Sequence, residues 1–596
     1  MPDIEDYAFL SDSQGAALVS REGDVEWLCL PRFDSPSVFA RLLDPDAGHW
    51  SLGPAAPGAG TRRYLEDTLV LETVHRLPEG EAVVLDALLL GMGERGHEIG
   101  SSSPHVLVRQ VQGRKGSVPM KLAYAPRPEY GLTSPRLTRV PEGVRAVGGP
   151  VALTLLAPVA LDLLDDQANA EFTVREGDVL TFALVCSPAY GRNQQPPAFA
   201  KPEAALGDTI AAWRSWSELH NNYDGLHRGL VRTSSLVLQG LTYQPSGAVV
   251  AAATTSLPER IGGEWNWDYR FCWLRDASLM MRALWVAACP DEPERLFRFV
   301  EQAGGRLGSD AVQIMYGVEG ERRLLEGKLG HMRGFADSRP VRTGNAAWEQ
   351  KQLDVLGEVL DAAYVLREKL GEFEEGTRQL LTALADRAAV SWQDPDAGMW
   401  EARDRERHYL SSKVMCWVAL DRAIALADRL RADDSRRGEW ASARDQVKKS
   451  VLKNGWNEDV GAYVGAYGSD QLDASVLLMP LFGFLPATDP RMRSTIEVID
   501  RDLNDEGFVR RWSEEENGFL ISSYWLVQCL TMAGEVERAE RLFDQVGGAA
   551  SDLGLLAEMA DPRTGRMLGN YPQAFSHVGL INAAWRLSVA MGRGQS

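Results

Sequence analysis

The chain has 596 residues, of which 45% are hydrophobic and 24% charged, and its net charge at pH 7 is −20. This length exceeds what one hydrophobic core usually supports, so we expect a globular protein with two or more domains. The excess of acidic residues disfavours nucleic acid and anionic membranes as partners. The expected substrate is therefore a small neutral molecule.

The sequence shows no targeting or metal-binding signature. Residues 1–10 lack a basic segment followed by an apolar one, and the longest apolar run, 151–164, is too short to span a bilayer. We therefore expect a cytoplasmic protein without membrane contact. The sequence is compatible with a homo-oligomer. The six cysteines are scattered, and no two histidines stand at ligand spacing on a predicted helix. We predict no disulfide, no metal site and no required cofactor.

The first 200 residues consist of short alternating runs separated by turns. The clearest runs are 24–30, 68–75, 82–90, 106–112, 151–156 and 179–186. This pattern predicts an N-terminal antiparallel β-sandwich domain over residues 1–200. The Pro- and Gln-rich segment 193–202 predicts a linker, and 201–225 is assigned to a linking or helical connection.

From residue 226 onward the hydrophobic periodicity is helical. Twelve segments show it: 226–242, 276–288, 291–304, 347–370, 374–391, 411–431, 437–454, 470–484, 488–503, 518–533, 535–547 and 573–591. Nearly uncharged helices alternate with charged amphipathic ones, and a helix that is apolar all round is buried. The links after the second, fourth, sixth, eighth and tenth segments are short, and short links predict helical hairpins. Residues 226–596 are therefore predicted to form an (α/α)6 barrel catalytic domain.

In such a barrel every long loop enters an inner helix from the same end. These loops are 243–275, 305–346, 392–410, 455–469, 504–517 and 548–572. Because loops on a rigid scaffold commonly carry function, we expect the site at this end.

The first of these loops has the composition of a sugar site. Trp267 and Trp273 precede Arg275 and Asp276 within 264–276. Aromatic faces cover the apolar face of a pyranose, while arginine and aspartate pair with its hydroxyls. A simpler interpretation is that Asp276 caps the next helix and pairs with Arg275. The two interpretations are compatible, and we favour sugar binding.

Two other loops each contain a carboxylate in an apolar setting. Glu401 follows Trp400, and a neighbouring aromatic ring disfavours ionisation, which suits a general acid. Taken alone, the stretch is better explained by Trp400 as a core residue and Glu401 as a solvated loop charge. Glu558 lies in the last long loop. Two carboxylates on one barrel face are able to flank a glycosidic bond, one as acid and one as base. The run 514–516, which follows Arg511, is interpreted as solvated charge.

The chain resembles glycoside hydrolase family 15, the glucoamylase-like enzymes, most closely their bacterial trehalase-like branch. The likeness rests on 6–12, 25–39, 263–276, 344–346, 352–355, 400–401 and 568–577. It implies that Glu401 is the general acid and Glu558 the general base. It also implies that Arg275 and Asp276 grip the non-reducing glucose and that Arg511 serves a further subsite. The predicted substrate contacts are Arg275, Asp276, Trp273, Trp267, Trp400, Arg511 and His577.

The resemblance implies an inverting, exo-acting α-glucoside hydrolase that releases β-glucose, with α,α-trehalose as the leading substrate. Hydrolysis of α-1,4- or α-1,6-linked gluco-oligosaccharides is the alternative. Two other classes remain open, a disaccharide phosphorylase on the same barrel and a non-catalytic carbohydrate-binding barrel. The presence of both carboxylates favours hydrolysis. Inversion requires carboxyl groups roughly 6.5–9.5 Å apart, with the acid protonated and the base ionised before reaction.

Overall fold

The structure of the protein is a computed structural model. The structure describes residues 2–56, 60–190, 201–220, 223–287, 291–304 and 312–593. Most of the predicted linker, residues 193–200, and the loop residues 305–311 lie outside these ranges. None of the helices within them is long and apolar enough to cross a membrane.

The described part of the N-terminal region contains fifteen antiparallel strands. They are β1 Ala8–Ser11, β2 Ala16–Val19, β3 Asp24–Cys29, β4 Ser37–Phe39, β5 His49–Pro54, β6 Thr61–Tyr64, β7 Leu71–Leu77, β8 Gly80–Leu88, β9 Val106–Ala125, β10 Arg136–Val140, β11 Gly143–Gly148, β12 Val151–Leu156, β13 Asp162–Leu164, β14 Gln167–Arg175 and β15 Val179–Pro188. The strands form two sheets that share β9, which pairs with β8 and β15 in one sheet and with β5 and β14 in the other. This is the predicted antiparallel domain.

Strand β9 extends well past residue 112, where the alternating pattern ends. Its middle contains Gly113 and Gly116 and exposes Arg114 and Lys115, so the hydrophobic alternation is interrupted there. Gly116 has a left-handed φ of 62°, and the pairing of β8 with β9 shifts register in this region. Such a bulge bends a strand and increases its twist. This bend lets one strand serve both sheets.

The helices follow the β domain. They are α1 Pro202–Leu219, α2 Arg228–Gly240, α3 Leu274–Ala287, α4 Asp291–Gly304, α5 Asp354–Val365, α6 Arg367–Leu370, α7 Glu375–Ser391, α8 Leu410–Ala425, α9 Ala427–Leu430, α10 Asp434–Asn454, α11 Leu478–Leu481, α12 Pro490–Asp502, α13 Leu520–Met532, α14 Val536–Gly547 and α15 Ala574–Ala590. Helix α1 occupies most of the predicted connection and buries Trp213 and Trp216.

Six of the described helices form an inner ring. Helix α3 packs against α5, α5 against α8, α8 against α11, α11 against α13, α13 against α15, and α15 against α3. Helices α2, α4, α7, α10, α12 and α14 lie outside them. The predicted (α/α)6 barrel is therefore confirmed.

The burial of single helices explains this division. In α13 every residue from Leu520 to Thr531 is buried, as expected for a helix without a charged face. In the neighbouring α14 the buried residues are Ala539, Leu542, Phe543 and Val546, a single stripe at helical spacing. The first therefore lies inside the ring and the second outside it.

One predicted inner helix, 470–484, is much shorter in the structure. It consists of a 3-10 helix, Ala474–Leu477, followed by the single turn α11. The Asp473 side chain caps the 3-10 helix by accepting a hydrogen bond from Ser475 N at 2.7 Å. Pro480 has no backbone N–H to continue an α-helical ladder. The prediction of a regular helix over 470–484 was therefore wrong in its extent.

Candidate active site

The loops at one end of the helical ring surround a cavity of about 610 Å³. This volume lies in the range typical of small-molecule sites. The walls come from the predicted loops 243–275, 392–410, 455–469, 504–517 and 548–572, and from the starts of inner helices. The remaining predicted loop is 305–346, and none of its described residues lines the cavity.

Glu401 is a half-buried wall residue with a fixed orientation. Its Oε1 accepts a hydrogen bond from Trp273 Nε1 at 2.6 Å and lies 3.6 Å from an Nη of Arg275. Its backbone has a left-handed φ of 61°, and its N–H donates to Gly398 O at 3.1 Å. A left-handed glutamate is uncommon, and such strain collects at functional sites. The loop therefore holds this carboxyl group in the cavity.

Glu558 lines the same cavity but is 1% exposed. Its Oε1 accepts a hydrogen bond from the Tyr269 hydroxyl at 2.7 Å, and its buried Oε2 has no hydrogen-bond partner. Burial and the negative charge of Glu259 raise the pKa of Glu558 to about 8, while Arg511 and Tyr269 oppose this rise. This direction runs against the expectation of an ionised base, and the ionisation of Glu558 before the reaction stays a prediction. Neither Glu259 nor Tyr269 was identified from the sequence.

Gly569 packs directly against the carboxyl group of Glu558. A Cβ atom at this position would lie 2.5 Å from Glu558 Oε2, and the φ of Gly569 is 75°. Both the backbone conformation and the close approach require glycine. Gly569 thus helps to determine where Glu558 points.

Arg275 and Asp276 begin helix α3 and line the cavity together. Arg275 Nε lies 3.5 Å from Asp276 Oδ2, and both atoms are buried without a hydrogen-bond partner. Another nitrogen of Arg275 donates to Met399 O. Burial raises the pKa of Asp276 to about 6, with Arg275 opposing the rise and Glu401 adding to it. Buried polar groups normally find partners, so this pair is suited to sugar hydroxyls.

The predicted tryptophans Trp267, Trp273 and Trp400 all line the cavity. Trp400 Nε1 donates to Asp473 Oδ1 at 2.9 Å, which orients the indole next to Glu401. The ring centroid of Trp267 lies 3.8 Å from the guanidinium carbon of Arg403. Both rings are thus held in place by polar or charged neighbours.

Arg511 also lines the cavity and is held by two carboxylates. Its guanidinium contacts Glu259 and Glu515, and its Nε lies 2.8 Å from Glu515 Oε1. Glu515 is buried, so the interpretation of 514–516 as solvated charge is wrong for this residue. An arginine among buried acids balances their charge, and sequence reasoning missed both partners.

The structure places His577 outside the walls of the cavity. Its side chain is fully buried, its Nε2 accepts a hydrogen bond from Leu556 N at 3.2 Å, and its Nδ1 lies 2.9 Å from Ser234 Oγ. Burial lowers the pKa of His577 to about 3, so the ring is neutral. In this position His577 supports the backbone two residues before Glu558 and does not face a sugar.

Comparison with known proteins agrees with this architecture. Residues 225–585 match the family model described as "Glycosyl hydrolases family 15", and residues 1–205 match the model "Trehalase-like, N-terminal". The chain belongs to glycosyl hydrolase family 15 and is a glycoside hydrolase.

Among its relatives are two proteins of similar length. It is 38% identical to "Trehalase" of Mycobacterium tuberculosis, over 98% of this chain and 89% of that protein. It is 32% identical to "Trehalase 1" of Sulfolobus acidocaldarius, over 98% of each chain. A crystal structure of a bacterial glucoamylase complexed with acarbose has the same fold, with a TM-score of 0.73 and 13% identity over 98% of this chain and 95% of that chain.

Proposed function

We propose that this protein hydrolyses α,α-trehalose with inversion of configuration. The observation that carries the proposal is the presence of Glu401 and Glu558 in one cavity beside the Arg275 and Asp276 pair. Each carboxyl group has one oxygen held by a hydrogen-bond donor, Trp273 for Glu401 and Tyr269 for Glu558. The relationship along nearly the whole chain to proteins named trehalase supports this substrate.

In the proposed reaction Arg275 and Asp276 hold the glucosyl unit that is transferred to water. Glu401 protonates the glycosidic oxygen as its bond to the anomeric carbon breaks. Water attacks that carbon from the other face and gives a proton to Oε2 of Glu558, which takes part in this step in its ionised form. Both steps are general acid–base catalysis and the chemistry calls for no cofactor. The two carboxyl groups should then be roughly 6.5–9.5 Å apart, so that the water fits.

The product anomers test the mechanism. Proton NMR before mutarotation should show one α-glucose and one β-glucose from each trehalose, because only the transferred unit inverts. An aryl α-glucoside should release β-glucose alone. Two α-glucoses from trehalose would overturn inversion. Phosphate-dependent glucose 1-phosphate would assign the protein to the phosphorylases instead.

A panel of disaccharides tests the substrate. We expect a higher kcat/KM for trehalose than for maltose or isomaltose, with glucose detected as the common product. A higher value for maltotriose or isomaltose would exclude trehalose as the preferred substrate and leave the family assignment intact.

A further inference from the structure

Two histidines and a glutamate from three distant segments meet away from the cavity. His97 lies in the 3-10 helix Gly96–Glu98 of the β domain, His220 directly follows α1, and Glu292 lies in the first turn of α4. One ring nitrogen of each histidine and one carboxylate oxygen all lie within 4.8 Å of one another. None of the three residues lines the catalytic cavity.

The hydrogen bonds of His220 place two electron-rich atoms face to face. Its Nδ1 lies 2.5 Å from Trp216 O, a carbonyl that only accepts, so Nδ1 carries the hydrogen. In the neutral ring Nε2 then holds a lone pair, yet it lies 3.0 Å from Glu292 Oε1 and makes no hydrogen bond. The other oxygen, Glu292 Oε2, is buried without a hydrogen-bond partner. A cation between these atoms would remove their repulsion.

We propose that His97 Nδ1, His220 Nε2 and the Glu292 carboxylate bind a divalent transition-metal ion of the zinc type. Two imidazoles and one carboxylate form a donor set that zinc accepts in proteins. The bond from His220 Nδ1 to a backbone carbonyl is the usual support of a metal-bound histidine, since it fixes the tautomer. Water takes the fourth position on the side of His97, whose side chain is 22% exposed.

The distances require a small adjustment. Ligand atoms about 2.0–2.1 Å from a tetrahedral zinc ion lie about 3.3 Å from each other. Glu292 Oε1 accepts a hydrogen bond from His97 Nδ1 at 2.6 Å, whose proton the ion would displace, and it lies 3.0 Å from His220 Nε2. Each pair must therefore separate by less than about 1 Å. Rotation of the carboxylate achieves this and turns the unpartnered Oε2 toward the ion.

The proposed ion would connect parts of the chain that are far apart in sequence. The backbone carbonyl of His97 already accepts hydrogen bonds from Gln244 and Arg295, each at 2.6 Å. A metal at this place would add a bond from the β domain to both α1 and α4. The ion would act as a clamp between the β domain and the helical barrel.

The test uses the full-length protein after removal of metal with a chelator. Titration with Zn²⁺ should show one equivalent bound per chain and a higher Tm, and Co²⁺ should give the visible absorption bands of a tetrahedral site. His97→Ala and Glu292→Gln should each weaken Zn²⁺ binding by at least about tenfold. His49→Gln, which changes a histidine of strand β5 outside the cluster, should leave it unchanged.

Because His97 is partly exposed, His97→Ala decides the question even if Glu292→Gln does not fold. Absence of Zn²⁺ binding would overturn the proposal, as would binding that survives both substitutions. A Tm that does not respond to Zn²⁺ would also contradict the proposed clamp.

Discussion

The cavity walls around Glu401 and Glu558 differ in charge and exposure. Glu401 is half-buried and lies among donors, the indole N–H of Trp273 and the guanidinium of Arg275. Glu558 is fully buried and has a second carboxylate, Glu259, among its neighbours. Two carboxyl groups of the same chemical kind thus enter the reaction from different surroundings. The comparison teaches that the proton affinity of Glu558 depends on residues from other loops.

Removal of either carboxyl group should have the largest effect. Glu401→Gln and Glu558→Gln keep size but remove proton transfer, and each should lower kcat roughly 10²–10⁴-fold. Substrates whose leaving group needs no protonation should partly rescue Glu401→Gln and not Glu558→Gln. Rates on aryl glucosides with leaving groups of graded pKa measure this difference. Equal rescue of both variants would contradict the assigned roles.

A methyl group at residue 569 should displace the carboxyl group of Glu558 and leave that of Glu401 in place. Gly569→Ala places a Cβ against Glu558 Oε2 and should lower kcat about 10²-fold, because small displacements of catalytic groups are costly. Gly565→Ala is the matched control, since Gly565 has a similar φ of 71° and no atom within 4 Å of an added Cβ. If both variants lose activity equally, backbone strain and not the clash is responsible.

Replacing Glu259 by a neutral residue should make the surroundings of Glu558 more similar to those of Glu401. The charge of Glu259 contributes to the raised pKa of Glu558, so Glu259→Gln should lower that pKa and move the acidic limb of kcat/KM to lower pH. We expect a gain of the order of several-fold at pH 6. Arg511 keeps its partner Glu515 in this variant. Glu516→Gln, at an exposed site in the same loop as Glu515, serves as control. An unchanged pH profile would contradict the coupling.

A further effect concerns the free energy of unfolding. The folded pKa of Glu558 is about 8, above its ordinary value of 4.5. The protonated form is therefore favoured in the folded protein, and this contribution is lost as pH rises from 4.5 through 8. Glu558→Gln cannot ionise, so its gain over the wild type should grow over this window, by about a few kcal/mol. Thermal unfolding at pH 4.5 and pH 8 measures the difference, and an equal Tm gain at both values would contradict it.

The general architecture was predictable because it follows from local patterns. Alternating polarity identified strands such as β12 and β15, and uncharged apolar stretches identified inner helices such as α13 and α15. Strand β9 was predicted too short since its glycine-rich middle breaks that alternation while its backbone pairing continues.

The surroundings of the predicted site residues were less predictable. Glu259 raises the pKa of Glu558 and Tyr269 lowers it. Both residues lie in a loop almost 300 residues earlier in the chain. Glu515 looked like part of a solvated run because its buried contact with Arg511 is tertiary. His577 stands in a motif of the family yet supports a backbone from behind the cavity wall. Such roles depend on which loops meet in the folded protein, and the hydrophobic periodicity of the sequence does not contain this information.

The closure of the inner ring has a consequence for protein synthesis. Helices α3 and α15 pack against each other although about 290 residues of chain separate them. The ribosome therefore synthesises α3 long before α15. Until then the flanks of α3 and α13 that α15 covers remain open, and both helices are rich in apolar residues. Exposed apolar surface on an unfinished chain promotes aggregation. The nascent protein is therefore expected to need chaperone protection until its final inner helix has left the ribosome.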